Sequence, residues 1–220
     1  MDFPRRCFET YEKMTTLKQT FTVLLNTFTD NLDLINQLWM EIEENYSSAN
    51  RHYHTLEHLN NLLVQLKEVK GSIKNWSAVL LTLYYHDIIY NPLKSHNEEK
   101  SAELAEKRML QISVDKTTLE CCKKQILATK THLQSPQSDI NYFNDADLSV
   151  LGQPWEEYVQ YYKNVRKEYS WYPDFMYNQG RIKVLNHFLN MERIFKTDYF
   201  FNQFEKTSRK NILKEIGELS

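Results

Sequence analysis

A histidine directly followed by an aspartate, His86-Asp87, comes after Tyr84-Tyr85 at the end of the apolar run Ala78-Val79-Leu80-Leu81-Thr82-Leu83. Such a run buries itself, so its end brings an imidazole and a carboxylate to the edge of a core, where burial without a partner is costly. A metal ion is the simplest partner. Neutral imidazole and carboxylate both bind divalent cations, and a carboxylate has a second oxygen with which to bridge a second ion. As a lone dipeptide, His-Asp reads more readily as a helix end facing water, so the flanking residues decide. Upstream, Arg51-His52-Tyr53-His54-Thr55-Leu56-Glu57-His58 opens a predicted helix, and the i, i+4 spacing of His54 and His58 stacks both rings on one face. Downstream, Asn144-Asp145-Ala146-Asp147-Leu148-Ser149 offers carboxylates after another helical segment.

With these blocks the chain resembles the HD superfamily of metal-dependent phosphohydrolases, whose ligands come from separate helices of an all-α domain. It is most similar to a small group of predicted bacterial HD phosphohydrolases with YHxxxH, HD and DADLS blocks. A fainter similarity reaches the cyclic-nucleotide phosphodiesterases, through Tyr53-His54-Thr55-Leu56-Glu57-His58, through Asp147-Leu148-Ser149, and through Ile126-Leu127-Ala128-Thr129 followed by His132. The core similarity covers about residues 50–155.

The resemblance implies an all-α HD-domain helical bundle with additional N- and C-terminal helices. It implies His58, His86, Asp87 and Asp147 as metal ligands, with Asp147 preferred to Asp145 because it occupies the DLS position. His54, matched to the first histidine of the phosphodiesterase block, becomes the general acid, a task that suits an imidazole with a reference pKa near ~6.5. Asn97, Glu98, Ser101 and Ala102 match another block of the family. Glu98 is then a candidate to hold a metal-bound water or a histidine, beside the plainer reading of a first-turn glutamate favoured by the helix dipole. Lys130 and His132 either complement a helix C-terminus or bind a phosphate. Arg181, Glu205 and Arg209 match GR and ExxxR blocks, and are expected to form a buried ion-pair network; the other role open to Arg181 is to reach a substrate phosphate.

The expected reaction is hydrolysis of a phosphomonoester or phosphodiester by a metal-activated water, with one or two divalent ions. Mixed nitrogen and oxygen ligands suit Mn, Fe, Zn or, less well, Mg. No P-loop and no Gly-rich dinucleotide block is present. Arg51 belongs to the histidine block, and Tyr53, Tyr85, Tyr90 and Trp155 are aromatic surfaces for a nucleobase, which favours a nucleotide substrate slightly, although core packing is the commoner fate of such residues. Two alternatives stand beside this reading: an HD-fold di-iron oxygenase, and a non-catalytic metal- or nucleotide-binding module.

Composition sets the frame. The 220 residues suit a single domain with its metal-site core at 50–155 and the helices of 156–220 packed on it. Four glycines and five prolines leave little punctuation for tight β-turns and argue for helices. The formal net charge of −2 provides no global field for nucleic acid. Cys7, Cys121 and Cys122 form neither a C-x-x-C pair nor an even disulfide set, which suits a reducing cytoplasm. No apolar run follows Met1-Asp2-Phe3-Pro4-Arg5-Arg6, no stretch approaches a membrane span, and the chain is expected as a monomer or homodimer.

Helical periodicity places the ligands. Two helices are predicted across 15–45, divided by an N-cap at Asp30, and others over 72–86, from about His96, from Asp115 to an end within Ala128-Thr129-Lys130-Thr131-His132, over 155–169, after Gly180-Arg181, and over about 201–213. Pro92 keeps Asn91 out of helix and makes the residues after Asp87 a loop.

Overall fold

The computed structural model describes residues 5–219, with side chains from Thr15 onward; Met1–Pro4 and the side chain of Cys7 lie outside the described residues. All regular structure among the described residues is helical, as the scarcity of turn formers predicts. Ten α-helices and two short 3-10 turns divide into two compact units, one ending at Leu133 and one beginning at Gln134.

The first unit holds α1 (Arg5–Leu25), α2 (Leu32–Tyr46), α3 (Leu56–Glu68), α4 (Trp76–Tyr85), α5 (Asn97–Gln111) and α6 (Lys116–Ala128). Every residue of α4 from Ala78 to Tyr85 is buried, and a helix apolar on all sides must sit inside its neighbours. Accordingly α1, α3, α5 and α6 all pack on it. Phe21 meets Tyr84 edge-on at 4.8 Å and Trp39 at 5.8 Å, and the Tyr84 hydroxyl donates to the Leu17 carbonyl. Short polar side chains set the helix starts: Asn31 accepts from the Leu34 amide, Asn75 from Ala78 and Asp115 from Thr118.

Three boundaries of the first unit differ from the sequence reading. The cap of α2 is Asn31, one residue beyond Asp30. Residues 70–72 form a separate 3-10 turn, and the Asn75 cap starts α4 at Trp76. Thr55 is extended (φ −116°, ψ 178°), so α3 begins at Leu56 and His54 stands in the loop before it.

The second unit holds α7 (Ser138–Leu148), α8 (Trp155–Glu168), α9 (Asp174–Leu189) and α10 (Asp198–Leu219), with a 3-10 turn at Ser149–Gly152. Helix α9 starts after Pro173 and runs through Gly180, which therefore does not precede the helix as expected; one glycine costs a helix only about 1 kcal/mol. The expected Arg181-Glu205-Arg209 network resolves into two. Arg181 pairs with Glu215 at 2.7 and 3.1 Å and donates to the Tyr161 hydroxyl, while Tyr158 donates to the same Glu215. Separately, Glu205 accepts from the Ile194 and Phe195 amides and from Arg209, whose guanidinium also holds the Leu189, Met191 and Glu192 carbonyls. Glu215 lies six residues beyond the ExxxR block, so that match could not point to it.

Helix α10 packs on the 3-10 turn, and Asn211 donates to the Leu151 and Gln153 carbonyls. Gly152 permits the contact: a Cβ there would lie 2.5 Å from the Phe204 Cβ and 2.9 Å from its Cα. A backbone atom cannot swing aside, so Gly152→Ala should lower unfolding stability by about 1–3 kcal/mol. Urea denaturation tests this, and an unchanged midpoint would show that the helix shifts at no cost.

Candidate metal centre

His86 caps the C-terminus of α4, its amide still bonded to the Thr82 carbonyl, so the apolar helix sets the ring's position directly. The ring is buried, and Nδ1 lies 3.1 Å from the Leu83 carbonyl. A carbonyl only accepts, so Nδ1 carries the proton and Nε2 of the neutral ring carries a lone pair. That lone pair faces two other potential metal donors: His58 Nε2 at 3.2 Å and Asp87 Oδ2 at 3.1 Å.

Two nitrogens bound to one ion at ~2.0–2.1 Å stand roughly 2.9 Å apart at an octahedral angle and roughly 3.4 Å apart at a tetrahedral one. The observed spacing lies between these values, and the carbonyl on Nδ1 is the outer contact usual for a metal-binding histidine. The residues present therefore fit a divalent ion. His58 arrives from the first turn of α3, where it too is buried.

Around these donors the first unit assembles several other candidates. His54 Nε2 lies 3.9 Å from Asp87 Oδ2, and its ring is stacked on Tyr90 at 4.2 Å and stands 5.9 Å from the His58 ring. Its place near His58 thus comes from the loop before α3 and not from a shared helix face. Tyr53 lies against both rings, at 4.9 Å from His54 and 5.0 Å from His58. Tyr85 is buried in the core and is withdrawn as a stacking surface, while His52 is exposed.

Arg51 is the fastener of this group. Its buried guanidinium donates to the carbonyls of His54 at 3.2 Å, Asp87 at 2.7 Å and Ile88 at 2.8 Å, and lies over the Tyr46 ring at 4.6 Å. One planar fork thus ties the loop of His54 to the loop of Asp87. Tyr46 adds a second tie, its hydroxyl accepting from the Asp87 amide at 3.2 Å.

Two members of the matched block on α5 also have evident work. Asn97 accepts from the Asn91 amide and donates to the Asn91 and Lys94 carbonyls, and Ser101 bonds both the amide and the carbonyl of Ile89. They pin the loop that follows Asp87. Glu98 lies 3.9 Å from Lys130, which is bonded to Glu99 and to the Ser95 carbonyl. Lys130 holds the Glu99 carboxyl below its ordinary range. His132, with φ of 51°, ends α6 by donating its amide to the Ala128 carbonyl.

In the second unit, Asp145 and Asp147 have different surroundings. Asp145 is fully buried and accepts from the Lys196 and Thr197 amides and the Thr197 hydroxyl. It fastens the entry to α10; burial pushes its carboxyl up while these donors oppose the shift. Asp147, in the last turn of α7, is half-buried. Burial is the main cause that pushes the Tyr161 phenol up, with the Arg181 charge opposing and the Asp147 charge adding to it. Arg181 is engaged by Glu215 and Tyr161, and Trp155 is stacked on Tyr158.

The sequence reading missed Tyr46, which lies far along the chain from the loop it holds and carries no motif. A scan against protein-family models finds none that matches the chain, and a search of curated proteins finds no match either.

Arg51→Lys would replace the fork with a single ammonium and leave buried carbonyls without donors. It should cost about 1.5–3 kcal/mol for each charged hydrogen bond lost. Urea unfolding measures this, and a change within about 0.5 kcal/mol, as at an ordinary surface position, would show that the fork does not hold the two loops.

Proposed function

We propose that the chain is a metal-dependent phosphohydrolase in which His58, His86, Asp87 and Asp147 hold one or two divalent ions. The observation that supports it most is the convergence of the His58 and His86 nitrogens on one another and of His86 on Asp87, with the proton of His86 turned away toward Leu83. His58, His86 and Asp147 are donors of the kinds that could hold a metal ion. The resemblance of their blocks to HD phosphohydrolases supplies the reaction class.

An ion bound there supplies Lewis acidity, polarising a phosphoryl oxygen and lowering the pKa of water. The chain's own residues do the rest. Arg51 and Tyr46 hold the Asp87 backbone, so the carboxylate meets the substrate in a fixed orientation. His54, its plane set by the stacked Tyr90, gives a proton to the departing oxygen. Tyr53 and Tyr90 offer aromatic surface for the base of a nucleotide.

Substituting Asp87 or Asp147 with alanine should remove bound metal and phosphatase activity together while leaving helical content in place. Asp145→Ala should instead lower stability, because it releases the Lys196 and Thr197 amides at the entry to α10, and keep the metal. Metal analysis and circular dichroism of the three variants test the assignment, and full metal occupancy in Asp87→Ala and Asp147→Ala would refute it. Turnover in a screen of nucleotides, cyclic nucleotides and aryl phosphates would exclude a mere binding module. Oxygen consumption without phosphate release would replace hydrolysis with oxygenation.

His54→Ala should retain metal and lose ~10²–10⁴ in rate on esters with a poor leaving group. An aryl phosphate, which departs without protonation, should suffer less. Equal loss on both substrates, measured under single turnover, would remove His54 from the role of acid.

A further inference from the structure

Asn144 is fully buried in α7, yet neither its Nδ2 nor its Oδ1 has a hydrogen-bond partner among the described residues. A carboxamide placed in a core without partners costs about 1–3 kcal/mol relative to an apolar residue of the same shape. Nearly all buried polar side chains in folded proteins find partners, and an exception calls for an occupant that completes it. Neighbouring residues sharpen the contrast. Asp145 is equally buried and takes three hydrogen bonds, while Phe143, Ala146 and Leu148 are the apolar residues a core helix requires.

Position indicates what Asn144 serves. It lies three residues before Asp147, and residues at i and i+3 of a helix share a face with Cβ atoms about 5–6 Å apart. At that spacing the two side chains can share a partner, and since the Asn144 carboxamide makes no direct bond, a water with two or more polar partners is the group that would join them. Carboxylates that bind metals are themselves held by such outer hydrogen bonds, and loss of one typically lowers metal affinity ~10–100-fold.

We propose that Asn144 is the positioning residue of Asp147: in the ion-loaded protein its carboxamide holds the Asp147 carboxylate through a bridging water and fixes the oxygen that faces the ion. The inference rests on the metal-site reading above, and assigns a role to a residue outside the ligand set. An apolar residue would serve a core helix better here, and the amide is explained by the carboxylate one turn away.

Asn144→Leu removes the polar atoms and nearly keeps the volume. The probe is Mn(II), titrated into the ion-free full-length protein by calorimetry, with thermal unfolding measured in parallel. The expected result is a Tm equal to or above that of the unsubstituted protein, with Mn(II) affinity ~10–100-fold lower. Asn144→Ser, which keeps a hydroxyl able to hold the water, should fall between the two in affinity and provides the measurement where the leucine variant does not fold. Affinities of the folded variants within about twofold of the unsubstituted protein, far short of the loss expected for an outer hydrogen bond, would overturn the role of Asn144 and leave the metal site standing. Absence of Mn(II) binding to the unsubstituted protein would overturn the metal-site reading and this inference with it.

Discussion

Imidazole nitrogens and a carboxylate oxygen that approach one another in a protein interior must share a proton or an ion. Here the Leu83 carbonyl fixes the proton of His86 on Nδ1, and the opposite nitrogen then meets His58 Nε2 at 3.2 Å and Asp87 Oδ2 at 3.1 Å. Much of the first unit serves to hold that arrangement. The apolar α4 delivers His86 to the edge of the core, α3 supplies His58, and the Arg51 fork joins the two loops between. Hydrophobic burial sets the helices, while a few charged and polar side chains set the loops to within hydrogen-bond tolerance.

The division of labour between neighbouring residues follows from burial and partners more than from residue type. Asp145 and Asp147 are chemically identical and two residues apart. The first is enclosed and bonded to the entry of α10, and the second is half-buried, its charge adding to the upward shift of the Tyr161 phenol that burial begins. Arg51 and Arg181 likewise both lie buried with planar forks, one holding backbone carbonyls and the other a carboxylate and a phenol. In each case the partner determines what the side chain contributes.

The helical class was legible because few glycines and prolines interrupt long apolar periodicities, and the nearness of His54, His58, His86 and Asp87 was expected from their sequence blocks, whose side chains the fold does bring together. Boundaries were less so. The extended Thr55 that ends the loop before α3 reflects contacts of Arg51 with carbonyls up to 37 residues away, which no local pattern encodes. The partner of Arg181 proved to be Glu215, 34 residues on, because helix packing and not the ExxxR spacing chooses which carboxylate reaches it. Asn97 and Ser101 were visible as a motif, but their work of tying down residues 89–94 needed coordinates.

The sequence separations in the second unit carry a consequence for synthesis. Asp145 leaves the ribosome ahead of Lys196 and Thr197, the groups that satisfy it, by 51 and 52 residues, and Leu151 precedes Asn211 by 60. A nascent chain carrying α7 therefore leaves that carboxylate to water, and the turn uncovered, until α10 has emerged. The first unit, whose α1 to α6 are complete by then, has its own core available to close earlier. Long-range closure of this kind is entropically slow, so the interval before α10 emerges is when the helix bearing Asp147 is most open to chaperones and proteases.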